Sequence, residues 1–134
     1  MEKFVKNFII ASMVYLVLAA TLGIIMLLDP SYLYLRFVHS HLNMLGWVSM
    51  MIYGVGYHVL PRFAGKQLKS VRMGELQFYL ANIGLVGMLL FYTIPMINPE
   101  SSFKGVLAFF GVMEAVSILL FFYNMIGTLL STEE

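Results

Sequence analysis

The sequence contains no cysteine, which excludes disulfide bridges, thiolate zinc sites, iron–sulfur clusters and covalent haem attachment through a CxxCH motif. Charged residues are scarce as well: they make up 11% of the 134 residues, and the formal net charge is +1. Such a chain lacks the basic surface that a nucleic-acid-binding protein needs, so no nucleic-acid partner is expected. Any metal or cofactor must therefore be held by His, Met, Tyr, carboxylate or backbone groups.

Apolar residues dominate instead: 60% of the chain is hydrophobic, and the mean hydropathy is +0.86. Soluble domains average about a quarter charged and less than half apolar residues, so the composition predicts an integral membrane protein. The charged residues leave long gaps, each sufficient for the roughly 20 residues of a membrane-crossing helix. We expect helical spans at residues 8–28, 37–60, 76–97 and 105–130.

The connections between these spans are short, which forces neighbouring helices to run antiparallel. The predicted fold class is therefore all-α: a single transmembrane domain, residues 1–134, forming an up-down-up-down antiparallel four-helix bundle. Six of the eight Lys and Arg residues lie at the amino terminus or in the loop 62–75, which predicts that both termini are inside. The first span exceeds the roughly 7–15 apolar residues of a signal peptide, so we expect a multi-pass protein of the inner (cytoplasmic) membrane.

The three histidines of the chain all lie in the second span, as His39, His41 and His58. Ionisable residues inside a membrane are costly and usually functional. His41 and His58 are roughly 25 Å apart along a helix, too far to share one metal centre. His39 and His41 point about 200° away from one another, so they cannot grip one metal jointly either. A further ligand must come from another helix or another protomer.

A helical wheel divides the second span into two faces. The face within about 60° of His39 is small and polar, which suits a close helix contact or a flat ligand. Its members are Asn43, Gly46, Met50, Tyr53, Gly54 and Tyr57. The His41 face is aliphatic and consists of Met44, Leu45, Val48, Ile52, Val55 and Val59. Either His39 faces the bundle while His41 faces a subunit interface, or His41 only forms a hydrogen bond at the membrane surface.

A neutral imidazole among Met, Gly and aromatic residues is suited to b-type haem, which needs axial nitrogen, a flat apolar slot and polar groups for its propionates. Arg36 and Tyr34 lie just outside the histidine level, where they can meet propionates or form the usual interfacial belt. A small-ion site and purely structural histidines are the alternatives. The predicted haem contacts are Arg36, Tyr34, Asn43, Gly46, Met50 and Tyr53, and the candidate metal ligands are His39, His41 and His58.

The segment 39–63, which opens with HSHLN and closes with YHVLPRF, resembles helix II of subunit I in haem–copper oxidases. It is similar to the cbb-type oxidases and nitric oxide reductases in particular, and also to short stand-alone subunit I-like membrane proteins. In the larger families an H-x-N motif opens this helix, and its histidine ligates low-spin haem b. The resemblance implies a ligand at His41 by the motif itself. Counting back from Tyr57, His58 and Arg62 instead favours His39, and both assignments stay open.

The chain also departs from those families. Their remaining haem ligands and their copper ligands are histidines on later helices, and the third and fourth spans here contain no histidine. The resemblance therefore implies no copper and no complete oxidase active site, and leaves open whether the chain is an enzyme. A six-coordinate haem would take its second ligand from Met, Tyr or a second copy of the chain. We expect a homodimer or higher oligomer with haem b, one or two per dimer, at or near a two-fold interface.

The expected function is that of a small membrane cytochrome in electron transport, or one handling a diatomic gas such as O2 or NO. Its haem iron would be held by His39, by His41, or by both across the dimer. Its partners would be the lipid bilayer, a second copy and a redox protein. Two alternatives remain: a cofactor-free accessory or assembly subunit of a respiratory complex, and a metal or haem transporter.

Glu114 interrupts the fourth span near its middle. An unpaired carboxyl group there is expected to be neutral, because burying a carboxylate costs more than protonating it. It is a candidate proton-handling group or a partner for a histidine, unless it only forms a hydrogen bond with Asn82 or Tyr79. His58, at the inner edge of the second span, either binds a second haem or metal or extends towards the interface.

Overall fold

The computed structural model describes residues 1–98 and 103–131, and every regular element within those ranges is helical. Helices α1, α4 and α5 are each long and apolar enough to cross a membrane, which defines a multi-pass membrane protein. A π-helical segment joins α2 to α3, so that residues 36–63 form one second helix. The bounds are Lys3–Leu28 for α1, Arg36–His41 for α2, Leu42–Ser49 for the π-helical segment, Met50–Phe63 for α3, Val71–Ile97 for α4 and Lys104–Leu129 for α5.

The π-helical segment differs from the uninterrupted α-helix expected for the second span. Its buried positions Leu42 and Gly46, with Met50 after them, are four residues apart. This spacing exceeds the roughly 3.6 residues of an α-helical turn and suits the wider π turn. The widened turn keeps all three residues on the buried side of the helix, a detail that hydrophobic patterning does not report.

Small residues bring α1 close to the second helix. A Cβ atom added to Gly46 would lie 2.7 Å from the Tyr15 side chain, and one added to Gly54 would lie 2.7 Å from Ile9. Close approach of this kind is a main source of helix association in lipid, where burial from water contributes little between helices. Gly84 serves α4 in the same way, since its Cβ would lie 3.0 Å from the backbone nitrogen of Glu114 in α5.

An aromatic cluster joins α1, α3 and α5 near the start of α1. The ring of Phe8 lies 5.5 Å from that of Tyr53 between centroids, and the ring of Phe4 lies 5.1 Å from that of Tyr57. Phe121 packs against both tyrosines, at 4.8 and 5.2 Å. Most of these pairs meet edge to face, the geometry that aromatic quadrupoles favour.

The loop after α3 is fixed to the end of α5. The Asn124 side chain accepts from the Ser70 backbone nitrogen at 3.1 Å and donates to the Ser70 carbonyl at 2.8 Å. Lys66 donates to the carbonyls of Leu129, at 2.8 Å, and of Ser131, placing a cation at a helix C-terminus. We call this part of the molecule the basic end; its cations are Arg62, Lys66, Lys69 and Arg72.

The opposite end is organised by a turn and an aromatic stack. Asp29 accepts a hydrogen bond from the Ser31 backbone nitrogen at 2.9 Å, which begins a short 3-10 helix, Pro30–Leu35, and lowers the pKa of this exposed carboxyl group. Phe37 stacks on Tyr92 of α4, with ring centroids 3.9 Å apart. The second helix therefore contacts α4 at the level where its first two histidines lie.

Replacing Asn124 with Ala is expected to destabilise the protein by about 1–3 kcal/mol, because the Ser70 backbone groups lose their buried partner. Thermal unfolding in detergent, followed by circular dichroism, measures the effect. Asn98→Ala is the matched control, since Asn98 is exposed at the end of α4. Equal midpoints for the two variants would contradict the role given to Asn124.

Candidate functional site

His39 is enclosed between its own helix and α1. Its Nδ1 lies 2.9 Å from the carbonyl oxygen of Ala19, and a Cβ atom on Gly23 would lie 3.0 Å from its Cε1. Because a carbonyl can only accept, Nδ1 carries the proton, and the lone pair is on Nε2. That nitrogen accepts a longer hydrogen bond, 3.3 Å, from the side-chain amide of Asn43.

His41 has the same Nδ1 arrangement but a more open setting. Its Nδ1 donates to the carbonyl oxygen of Phe37 at 2.9 Å, and its ring lies 3.8 Å from the Phe37 ring between centroids. In the part of the chain that the structure describes, Nε2 of His41 has no hydrogen-bond partner. The ring is half-buried, and it is followed on the outer face by exposed aliphatic side chains such as Met44 and Ile52.

The two imidazoles share one feature that matters for ligand chemistry. Each Nδ1–H is held by a backbone carbonyl, which leaves Nε2 as the nitrogen with an available lone pair. Proteins orient metal-ligating histidines in this way, since the hydrogen bond sets both the tautomer and the ring direction. The rings contact different neighbours, α1 for His39 and the Phe37–Tyr92 stack for His41, so they serve two separate sides of the second helix.

The other residues predicted to contact a cofactor fall into two groups. Asn43 contacts His39, through hydrogen bonds to Nε2 and to the His39 carbonyl at 3.0 Å. Gly46, Met50 and Tyr53 lie in the packed core, where Gly46 meets α1 and Tyr53 lies between Phe8 and Phe121. The face around His39 is thus a close helix contact, one of the two uses that the wheel suggested.

Arg36 and Tyr34 are exposed beside the start of the second helix. They lie near the histidine level along the chain, although their predicted contact with a cofactor stays a prediction. His58 lies in α3 towards the basic end, where Arg62 Nη1 is 2.9 Å from its Nδ1. The structure therefore does not bring His58 together with the other two histidines.

The sequence patterns did not identify the residues that position His39. Ala19 and Gly23, spaced four residues apart in α1, give the Nδ1 acceptor and the space for the ring. A pair of small residues at this spacing is a known signal for close helix packing, and it was available in the sequence. Phe37 and Tyr92, which support His41, carry no comparable signal.

Within residues 1–98 and 103–131, no group of three or more His, Asp or Glu side chains is placed to hold a metal ion. A bare ion generally needs three or four protein ligands. Haem iron requires only one or two from the protein, because the porphyrin supplies the others.

Glu114 is buried in α5, with 4% of its surface exposed. Neither carboxyl oxygen has a hydrogen-bond partner among the described residues. Neither alternative partner from the sequence bonds to it: Asn82 accepts from the Tyr15 hydroxyl at 2.8 Å, and Tyr79 is exposed. The carboxyl group instead packs against Gly84, whose Cβ would lie 3.2 Å from Oε2.

Comparison with known proteins gives one partial similarity. A stretch of 49 residues is 41% identical to the Cbb3-type cytochrome c oxidase subunit CcoN1 of Stutzerimonas stutzeri. The stretch is 36% of this chain and spans about a tenth of the length of that relative. No family model and no solved structure matches the chain. The findings define a multi-pass membrane protein, part of which is similar to a subunit of a cbb3-type oxidase.

The Nδ1-protonated tautomer is expected for both His39 and His41, because each Nδ1 faces a carbonyl oxygen. Nitrogen-15 NMR of histidine-labelled protein, with signals assigned by single substitutions, measures the tautomer. Gly23→Ala is expected to shift only the His39 signals, since the new methyl group meets that ring. Gly111→Ala is the control, because nothing lies within 4 Å of its added Cβ. An Nε2-protonated His39 in the unsubstituted protein would contradict the assignment.

Proposed function

We propose that this chain is a b-type membrane cytochrome that transfers electrons or handles a diatomic gas. In this proposal the four helical stretches form an antiparallel bundle in the inner membrane, with the basic end and both termini inside. The observation that carries the proposal is the pair of imidazoles whose Nδ1 atoms are held by backbone carbonyls. The partial similarity to a cbb3-type oxidase subunit supports it.

The surroundings favour His41 as the residue that meets haem iron. Its Nε2 has no competing partner in the described structure, whereas Nε2 of His39 accepts from Asn43. Its ring is supported by Phe37 and Tyr92, which restrict its orientation. The exposed aliphatic face that follows it would give a flat porphyrin an apolar surface to contact. When bound, haem b would supply one-electron redox chemistry or a gas-binding iron.

The side chains around this position have separable tasks in the proposal. The Phe37 carbonyl holds the His41 proton on Nδ1 and so keeps Nε2 available. Arg36 and Tyr34 are exposed near the same end and would neutralise and hydrogen-bond haem propionates. His39, held by Ala19, either fixes α1 to the second helix or supplies a ligand after Asn43 releases it.

A second copy of the chain would complete the site. His39 and His41 contact different sides of one helix, so one chain can offer only one imidazole to any one haem. A two-fold axis brings each residue to its counterpart reciprocally, which permits pairing of His41 with His41 or His39 of the other copy. The proposal therefore includes a homodimer with one or two haems at or near its interface, and no copper.

Purified protein from cells supplied with haem is expected to show the reduced α and Soret bands of haem b. His41→Ala should lose most of the bound haem, and His41→Ala combined with His39→Ala should lose all of it. His58→Ala is the matched control and should retain the spectrum. A colourless preparation at full haem supply would contradict the proposal and favour a cofactor-free accessory subunit.

Binding of carbon monoxide to the reduced protein would indicate an open iron position and gas handling.

Light scattering of the haem-loaded protein in detergent is expected to give two chains per particle. A His41→Ala variant should shift towards one chain, because the shared haem no longer bridges the copies. Haem-loaded particles that contain a single chain would contradict the shared site, while leaving haem binding itself intact.

A further inference from the structure

A carboxyl group without partners lies in the middle of α5. Glu114 is ten residues from Lys104 and ten from Asn124, and its side chain is more than nine-tenths buried. Both carboxyl oxygens lack hydrogen-bond partners within the described structure. Burial without hydrogen-bond partners destabilises an ionised carboxylate, which favours the neutral, protonated acid.

Hydroxyl and amide groups lie between Glu114 and the basic end. Tyr15 of α1 donates to Asn82, two residues before Gly84 in α4, and Tyr53 of the second helix packs against Phe121 of α5. One turn beyond Tyr53, the Tyr57 hydroxyl donates to Gln77 Oε1 at 2.7 Å. The Gln77 side-chain nitrogen is buried and has no partner in the described residues.

A further polar side chain, Asn124, lies between Glu114 and the basic end along α5. Asn124 lies roughly 15 Å from Glu114 along the helix, and its side chain is bonded to the Ser70 backbone in the basic-end loop. The polar groups of Tyr53, of the bonded pair Tyr57 and Gln77, and of Asn124 thus lie between the middle of α5 and this end. In contrast, the outer face of α5 at the level of Glu114 is lined by exposed apolar residues such as Val112 and Val116.

We propose that Glu114 is an exchangeable proton site in the membrane interior, loaded from the basic end through these four polar side chains. The carboxylate takes up one proton to become the neutral acid and releases it by the same route. The titratable groups that face it are Tyr15 and Tyr53, while α4 presents the Gly84 backbone. The inference does not depend on haem, and a colourless preparation tests it equally well.

An apolar carbodiimide tests the proton on Glu114, because such reagents enter the membrane and modify protonated carboxyl groups. The full chain is labelled in lipid nanodiscs and the modified peptides are identified by mass spectrometry. Labelling of Glu114 is expected, with a severalfold fall as the pH is raised, and its loss in Glu114→Gln. Exposed Glu75 is the internal control and should react only with a water-soluble carbodiimide. No labelling at Glu114, or labelling that does not change with pH, would overturn the inference.

Infrared spectroscopy tests the route. The carbonyl band of the protonated acid should shift when the nanodiscs are moved into D2O and should be missing in Glu114→Gln. Tyr57→Phe is expected to slow that shift severalfold. Tyr79→Phe makes the same change on the exposed face of α4 and should leave the rate unchanged. Equal rates in both tyrosine variants would overturn the route from the basic end, and a band that never shifts would overturn exchange altogether.

Discussion

The hydrogen bond between an imidazole Nδ1 and a backbone carbonyl is the interaction on which the candidate site depends. It occurs twice, from His39 to Ala19 and from His41 to Phe37, at 2.9 Å in each case. Inside a membrane there is little water to satisfy a buried imidazole, so its polar atoms must find partners within the protein. A backbone carbonyl satisfies the donor and leaves the second nitrogen of the ring with its lone pair.

The rest of the fold makes those hydrogen bonds possible. His39 reaches Ala19 because Gly23 and Gly46 let α1 approach the second helix closely. The π-helical segment then keeps Gly46 and Met50 on the buried side, and Phe37 connects His41 with Tyr92 of α4. Substitutions in α1 that add bulk should therefore affect the chemistry of the second helix, although α1 itself offers no ligand.

Two polar systems occupy different parts of the protein. The imidazoles of His39 and His41 lie near one end of the second helix, whereas Glu114 lies in the middle of α5. If both proposals hold, electrons and protons would be handled at separate levels of one small bundle. The two proposals are independent, because haem absorbance tests only the site at the imidazoles and carboxyl reactivity tests only Glu114.

Composition and charge spacing alone determined that the chain crosses a membrane, because some 20 consecutive apolar residues suffice for a span whatever its neighbours. They also predicted that the three histidines share one helix and that Glu114 lies near the middle of another. Only the tertiary structure decided which imidazole is enclosed and which is open, and that the second helix widens into a π turn. It also decided that Glu114 bonds to neither Asn82 nor Tyr79, the two partners considered as an alternative. These outcomes depend on contacts between distant residues, such as His39 with Ala19 and Phe37 with Tyr92, and local periodicity carries no information about such contacts.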